Sequence, residues 1–246
     1  MGHSSPEVHT FFPKHLTVRR VLESAWADAP VSKPSLDDEA KHRVSACLRW
    51  FQEELNITPS RLSARPSLTV LDQKFQSALT TSNKAEVAHI VDETQNLLQD
   101  PSALDWATQI SFRDLPFSSQ RLLLFLRSIV SSPDLVILDE AFSGMDAETR
   151  DKALLFLSHG ETMSRVAKGN AGVRTSLLAD MHEVRLHGLS EKQALLTISH
   201  SKEDVPGCVR QWICLPELGE GRAPRWGSLQ GPLELNPEGW NEIWGV

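Results

Sequence analysis

The chain has 246 residues, 40% of them hydrophobic and 23% charged, with a formal net charge of −7. That length suits one large or two small domains with a substantial core. The acidic balance gives no support for nucleic-acid binding, which usually shows a basic stripe. No apolar run approaches the roughly 20 residues that a membrane helix needs. Cys47, Cys208 and Cys214 are dispersed and lack CxxC spacing. They read as buried thiols in a reducing compartment and not as a disulfide framework or zinc site. The N-terminus has no apolar signal core. Lys14, His15, Arg19 and Arg20 give it a transit-peptide flavour, but Pro6, Glu7 and Pro13 oppose a regular amphipathic helix. The expected location is the cytoplasm, with mitochondria as the alternative.

Thr17 can cap a first helix that carries Val18, Val21, Leu22 and Ala25 on one side. Pro30 and Pro34 break the chain. Ser35 with Asp38 has a capping-box spacing, and Ala40, Val44, Cys47, Leu48, Phe51 and Leu55 recur at helical spacing. Residues 58–66 read as a loop. Helices are predicted over 68–79 and 87–98, the second capped by Asn83 with Glu86 at its third position. Residues 17–110 therefore read as a helical subdomain, and the pattern changes near Phe112. An apolar helix follows from about Gln120 to Val130, then a turn through Pro133-Asp134.

The most informative stretch comes next: Leu135–Asp146, LVILDEAFSGMD. Leu135 to Leu138 predict a short strand of a parallel sheet, buried on both faces. It ends on adjacent acids, Asp139 and Glu140. In an open α/β sheet ligands sit outside the carboxyl ends of the strands, which puts both carboxylates at the mouth of a crevice. Such a pair suits a magnesium–nucleotide site, where one acid holds the metal shell and the other orients a water. Ala147 to Leu157 returns to helix. Residues 158–188 read as a surface insertion, with Gly169, Asn170 and Gly172 marking an exposed loop. Residues 194–199 and 211–215 read as two more short buried strands, and the tail from Gly219 as irregular structure.

Strand, acid pair and Ser143-Gly144-Met145-Asp146 together resemble the Walker B strand, catalytic glutamate and D-loop of an ABC-type ATPase. Upstream, Leu115–Arg121 followed by a helix and a short turn resembles that family's signature-motif block. Downstream, the strand over 194–199 ends on His200, where the family carries its switch histidine. Gly2–Glu7 followed by Leu16–Arg19 resembles the Q-loop entry and the start of the family's helical subdomain, although the Gln is absent. The likeness is nearest to soluble ABC proteins without membrane domains, fungal ones included. It implies an α/β, P-loop NTPase-like ABC ATPase domain: residues 1–110 as Q-loop-like entry and helical subdomain, 111–246 as the α/β part with an insertion near 158–190. It also implies ATP as substrate, magnesium, and a second nucleotide-binding domain in cis or trans that sandwiches the nucleotide. By resemblance, Asp139 holds the metal through water, Glu140 polarises the attacking water and His200 contacts the γ-phosphate. Ser118, Ser119 and Gln120 form the signature-like segment; Ser143, Gly144 and Asp146 form the D-loop.

Two departures qualify that likeness. No GxxxxGK[ST] occurs in the chain, so the backbone nest and Lys that hold the phosphates are missing. The expectation is a domain whose N-terminal portion is absent. Secondly, the family's Ser-Gly-Gly-Gln falls on Pro116-Phe117-Ser118-Ser119, where a proline and a bulky ring replace a hydroxyl and a glycine. His182-Glu183 with His187 is spaced HExxxH and not HExxH, so the residues read as solvated loop positions and not as a zinc site. A DEAD-box-like helicase also ends a strand on Asp-Glu-Ala but needs a basic channel. The remaining alternative is a non-catalytic ABC-derived interaction module with no nucleotide turnover.

Overall fold

The computed structural model describes residues 1–58, 66–165, 172–216, 223–232 and 237–244. Its mixed helix–sheet architecture has a parallel three-stranded sheet at the centre, ordered β1 (Gly2–Ser4), β2 (Leu135–Asp139), β5 (Ala194–Ile198). Two antiparallel hairpins accompany it: β3 (Met163–Arg165) with β4 (Val173–Thr175), and β6 (Gln211–Cys214) with β7 (Arg225–Ser228). The helices among the described residues are α1 (Pro6–Phe11), α2 (Val18–Glu23), α3 (Asp38–Trp50), α4 (Gln52–Leu55), α5 (Leu68–Thr80) and α6 (Lys84–Gln99). They continue with α7 (Trp106–Gln109), α8 (Phe117–Ile129), α9 (Ala147–His159), α10 (Leu177–Asp180) and α11 (Pro237–Trp244). None is long and apolar enough to cross a membrane.

From Thr17 onward the described chain up to β2 is mostly helical, as the residue pattern predicts, but α1 departs from the reading of Pro6, Glu7 and Pro13 as opposing a helix: Ser5 caps it and Pro6 sits at its first position, where no N–H is needed. The caps follow ordinary rules, with side-chain oxygens taking up otherwise orphaned amides. Thr17 accepts the Arg20 N–H, and Asn83 accepts the Glu86 N–H at 3.3 Å. At α3 the cap differs from expectation. Asp37, and not Ser35, accepts the Ala40 N–H at 2.7 Å, a charged acceptor sitting at the helix's own first turn.

Helix α8 organises the interior. Leu122, Leu123, Leu124, Phe125 and Leu126 are all buried, so the helix is apolar nearly all round. Strand β1 lies directly on it: a Cβ at Gly2 would stand 1.7 Å from the Ser128 carbonyl oxygen, so only glycine fits. Around α8 a single cluster joins Val18, Val21 and Leu22 of α2, Val44 and Leu48 of α3, Val136 and Leu138 of β2, and Phe156 of α9.

Three expectations are corrected here. Strand β2 is covered on one face only: Val136 and Leu138 are buried, whereas Leu135 is 37% exposed. Strand β5 leaves Leu196 and Ile198 open, and β6 leaves Ile213 open, so neither is a buried strand. An apolar run tells that a strand can be covered, not that a neighbour covers it. The insertion is not merely superficial, since Leu177, Leu178 and Leu186 enter the core. Buried Asp72 of α5 accepts the Leu177 N–H at 2.7 Å and the Ser164 hydroxyl at 2.7 Å, tying β3 and α10 to α5. Of the loop markers placed there, Gly169 and Asn170 lie outside the described residues. The tail is not wholly irregular, because β7 and α11 form within it.

Candidate functional site

Parallel pairing of β2 with β5 aligns Leu138 with Thr197 and Asp139 with Ile198, so both strands end at one edge. The Glu140 N–H continues the ladder, donating to the Ile198 carbonyl at 2.9 Å. Glu140 itself has φ +46°, a left-handed conformation that an L-residue adopts at a cost. Two further contacts hold its carbonyl: the Ser143 N–H at 3.1 Å and the guanidinium of Arg121. Strain that the surroundings over-determine in this way gathers at functional positions.

With the turn so fixed, the Glu140 carboxylate meets His200 Nε2 at 3.2 Å, although sixty positions separate them in the chain (200 − 140). The contact is an ion pair when the imidazole is protonated. Both groups are open to solvent, with side-chain exposures of 37% and 84%. The pair therefore contributes little to stability. It is reachable by a ligand.

Behind the acids lies Arg121, 3% exposed. Burial pulls its pKa down, while the charges of Glu140 and Asp139 push it back up. Its Nε finds no hydrogen-bond partner. Asp204, in the 3-10 turn Lys202–Asp204, also belongs to this neighbourhood. Burial raises its pKa, Arg150 opposes that at 3.9 Å, and Glu203 and Glu140 add to the rise. Sequence reasoning missed Arg121, Arg150 and Asp204. The available signal was weak: Arg150 falls four positions after Asp146, and Asp204 four after His200.

The D-loop-like residues form a tight unit beside this edge. Gly144 has φ +80°, and a Cβ there would lie 2.3 Å from Phe117 Cε1. Asp146 caps α9, accepting the Thr149 N–H at 2.9 Å and the Thr149 hydroxyl at 2.8 Å. Burial disfavours its charge, but the hydrogen bonds from Ser118 and Thr149 outweigh this and leave its pKa below the ordinary value. Ser143 contributes its backbone N–H to the Glu140 turn.

The signature-like residues are turned to other uses. Ser118 donates to Asp146 Oδ2 at 2.6 Å and in turn accepts the Asp146 N–H at 3.1 Å. Ser119 donates to the Glu54 carbonyl at 2.6 Å. Gln120 donates to the Leu115 carbonyl at 2.8 Å, and its side-chain oxygen lies 2.9 Å from His9 Nε2. None of the three shares a hydrogen bond with Glu140 or His200. Their local roles follow from their positions at the first turn of α8, where free amides and neighbouring carbonyls compete for hydroxyls.

As a metal environment the site is oxygen-based and sparse. Among the described residues no group of three or more His, Cys, Asp or Glu could hold a metal ion. Asp139 and Glu140 nonetheless fit magnesium, which binds through one or two carboxylates, keeps several waters and takes phosphate oxygens from its substrate. His182 and His187 are exposed, in keeping with solvated positions. Of the three cysteines expected to be buried thiols, Cys47 is buried, whereas Cys208 and Cys214 are only partly covered.

No family model matches the chain. It is 26% identical over 216 residues to an uncharacterized ABC transporter ATP-binding protein of Schizosaccharomyces pombe, a match covering 86% of this chain and 27% of that protein. A stretch of 51 residues is 45% identical to an uncharacterized ABC transporter ATP-binding protein of Saccharomyces cerevisiae, covering 21% of this chain and 10% of that one. The chain thus corresponds to little more than a quarter of the first relative's length, and its homologues are named as ABC transporter ATP-binding proteins.

Proposed function

We propose that the chain supplies the acid-and-histidine part of an ABC-type ATP site. The observation that carries this reading is the Glu140–His200 contact at 3.2 Å on the carboxyl edge of two parallel strands. A strand-end acid beside a histidine two positions beyond the end of the second strand can hold a water and a terminal phosphate together. In this reading Asp139 orients a magnesium shell through water. Glu140 accepts a proton from the attacking water. His200 donates a hydrogen bond to the γ-phosphate. Magnesium, when brought in with the triphosphate, neutralises charge that develops on the transferred group. Buried Arg121 holds the Glu140 turn from behind, and Asp204 with Arg150 sets the local charge balance. Residues 1–110 act as the helical subdomain and 111–246 as the α/β part, with a second nucleotide-binding domain completing the sandwich.

The chain has no GxxxxGK[ST], so its own grip on a triphosphate is weak. Titration of the purified chain with Mg·ATP, followed by the His200 imidazole NMR signals, tests the reading. Saturable shifts at about millimolar ligand, weakened in Asp139→Asn through loss of the carboxylate that orients the magnesium shell, are expected, without measurable hydrolysis. Unmoved His200 signals across the titration would overturn the proposal.

A second reading has its own support: a non-catalytic ABC-derived interaction module. Phe117 covers Gly144, and Ser118 and Ser119 are bonded within the fold. On that reading Glu140→Gln leaves nucleotide-dependent association with any partner domain unchanged.

A further inference from the structure

A groove of ≈ 580 Å³ lies on the helical part of the molecule, away from the strand edge. Its walls come from α2, α3, the segment around Lys33–Leu36 and the end of α6 with the turn that follows it. At His42, Arg49 and Leu98 it meets a narrower recess of ≈ 160 Å³. A volume of this size is ordinary for a small-molecule site.

The charge in this groove is unusual for a chain of net charge −7. Arg19, Lys33, Lys41 and Arg49 all line it, against one acid, Glu23. Glu23 is already bonded to Arg20 at 2.9 Å, and Lys41 to Asp38 at 2.8 Å. Among the described residues Arg19, Lys33 and Arg49 form no ion pair. Arg49 Nε is shut off from solvent and has no hydrogen-bond partner. Arg19 and Arg49 also stand close enough to repel. Burial and then Arg19 pull the Arg49 pKa down, and Glu161, across the recess, only partly restores it. Glu161 is itself committed, accepting the N–H groups of Arg185 at 2.8 Å and Leu186 at 2.9 Å. Arg19 and Arg49 line one groove whose single carboxylate, Glu23, is already bonded to Arg20, and this surplus of cations makes an anion receptor. Their planar forks match the oxygens of a phosphate. Pro34, Leu36, Leu98 and Leu104 give the same groove an apolar wall.

We propose that this groove binds a small phosphorylated molecule, its phosphate clamped by Arg49 and Arg19 and its apolar or ring portion laid against the Leu36–Leu98 wall. Lys33, exposed at the rim, adds attraction without fixing geometry. The site is separate from the Glu140–His200 edge and does not rest on the ATP reading.

Calorimetric titration of the full chain with phenyl phosphate and with inorganic phosphate, at matched ionic strength in chloride, tests it. One saturable site is expected, with phenyl phosphate the tighter of the two. Arg49→Gln should weaken phenyl phosphate by about tenfold, the loss of a charge-assisted hydrogen bond. Lys33→Gln should weaken it less, and Glu140→Gln should leave it unchanged. Should Arg49→Gln fail to fold, Arg19→Gln and the exposed Lys33→Gln decide. No saturable binding of either probe, or binding indifferent to these groove substitutions, would overturn the proposal. Equal affinities for the two probes would remove the apolar wall from it. Loss of binding in Glu140→Gln would place the phosphate at the strand edge and overturn it too.

Discussion

Glu140 offers a test in which two small substitutions at one position isolate the backbone. Its φ of +46° costs an L-residue about 1–2 kcal/mol. Glu140→Ala keeps the Cβ and therefore keeps that cost. Glu140→Gly removes it, but glycine surrenders about 0.5–1 kcal/mol more backbone freedom on folding. The difference leaves the glycine variant more stable than the alanine variant by about 0.5–1 kcal/mol, a shift of about 2 °C in Tm for a chain of this size. Both variants lose the carboxylate equally, so the His200 contact cancels in the comparison. The hydrogen bonds to Ile198, Ser143 and Arg121 use the main chain of residue 140 and survive in both. Urea denaturation of the two proteins, with equal m-values as a control on the denatured state, reads the difference directly. An alanine variant as stable as the glycine variant, or more so, would refute the claim that this turn is held under backbone strain.

Three further outcomes are expected. Leu138→Ala empties a fully buried position in the central strand and should cost about 2–5 kcal/mol, read from the denaturation midpoint. Asp146→Ala removes the α9 cap and should cost about 1 kcal/mol at neutral pH. The Asp146 pKa lies below its ordinary value of 3.8, so its contribution is present above that value and lost as pH falls through the folded pKa. The wild-type and alanine stability curves should therefore converge in acid, and parallel curves down to the lowest pH would contradict this. Leu196→Lys with Ile198→Lys should reduce hydrophobic-dye binding while changing stability little, because both side chains already face water. Unchanged dye binding would place the exposed apolar surface elsewhere.

What the residues disclosed was the sheet's edge. Two apolar runs, one closing on Asp139-Glu140 and the other on Ser199-His200, predict parallel neighbours that end together, and β2 and β5 are such a pair. The helical stretch before them was legible too, because α3, α5 and α6 carry their apolar positions at helical spacing and Asn83 marks the start of α6. Coverage was not legible. Whether a strand's second face meets a helix is decided by chain elsewhere, so Leu196 and Ile213 read as core and stand in solvent. The β6–β7 hairpin escaped for a related reason: Gly227 lies beneath the Trp212 ring, a Cβ there standing 2.8 Å from it, and a glycine among tryptophans and prolines looks like loop. Arg121 read only as the last residue of the signature-like block Leu115–Arg121. Only the fold, by bringing α8 under the Glu140 turn, makes it a support.

The same hydrogen bonds that make the signature-like segment rigid also limit what it can do for a phosphate. Ser118 is locked with Asp146, and Ser119 with the Glu54 carbonyl. Glu54 is held again by Lys152, 2.8 Å away on α9. Lys152 also donates to the Trp50 carbonyl at 2.9 Å and to Thr69 at 3.1 Å. The first turn of α8, the cap of α9 and the end of α3 are thereby one connected block. Freeing either serine for a ligand means breaking a short hydrogen bond, and for Ser119 leaving a half-buried carbonyl short of a partner. Glu140 and His200 have no such tie to the interior through their side chains and remain accessible. Under the proposed function, this contrast divides the labour. The strand edge presents groups that act on a water and a terminal phosphate, whereas strong phosphate holding has to come from groups outside the segment Pro116–Gln120.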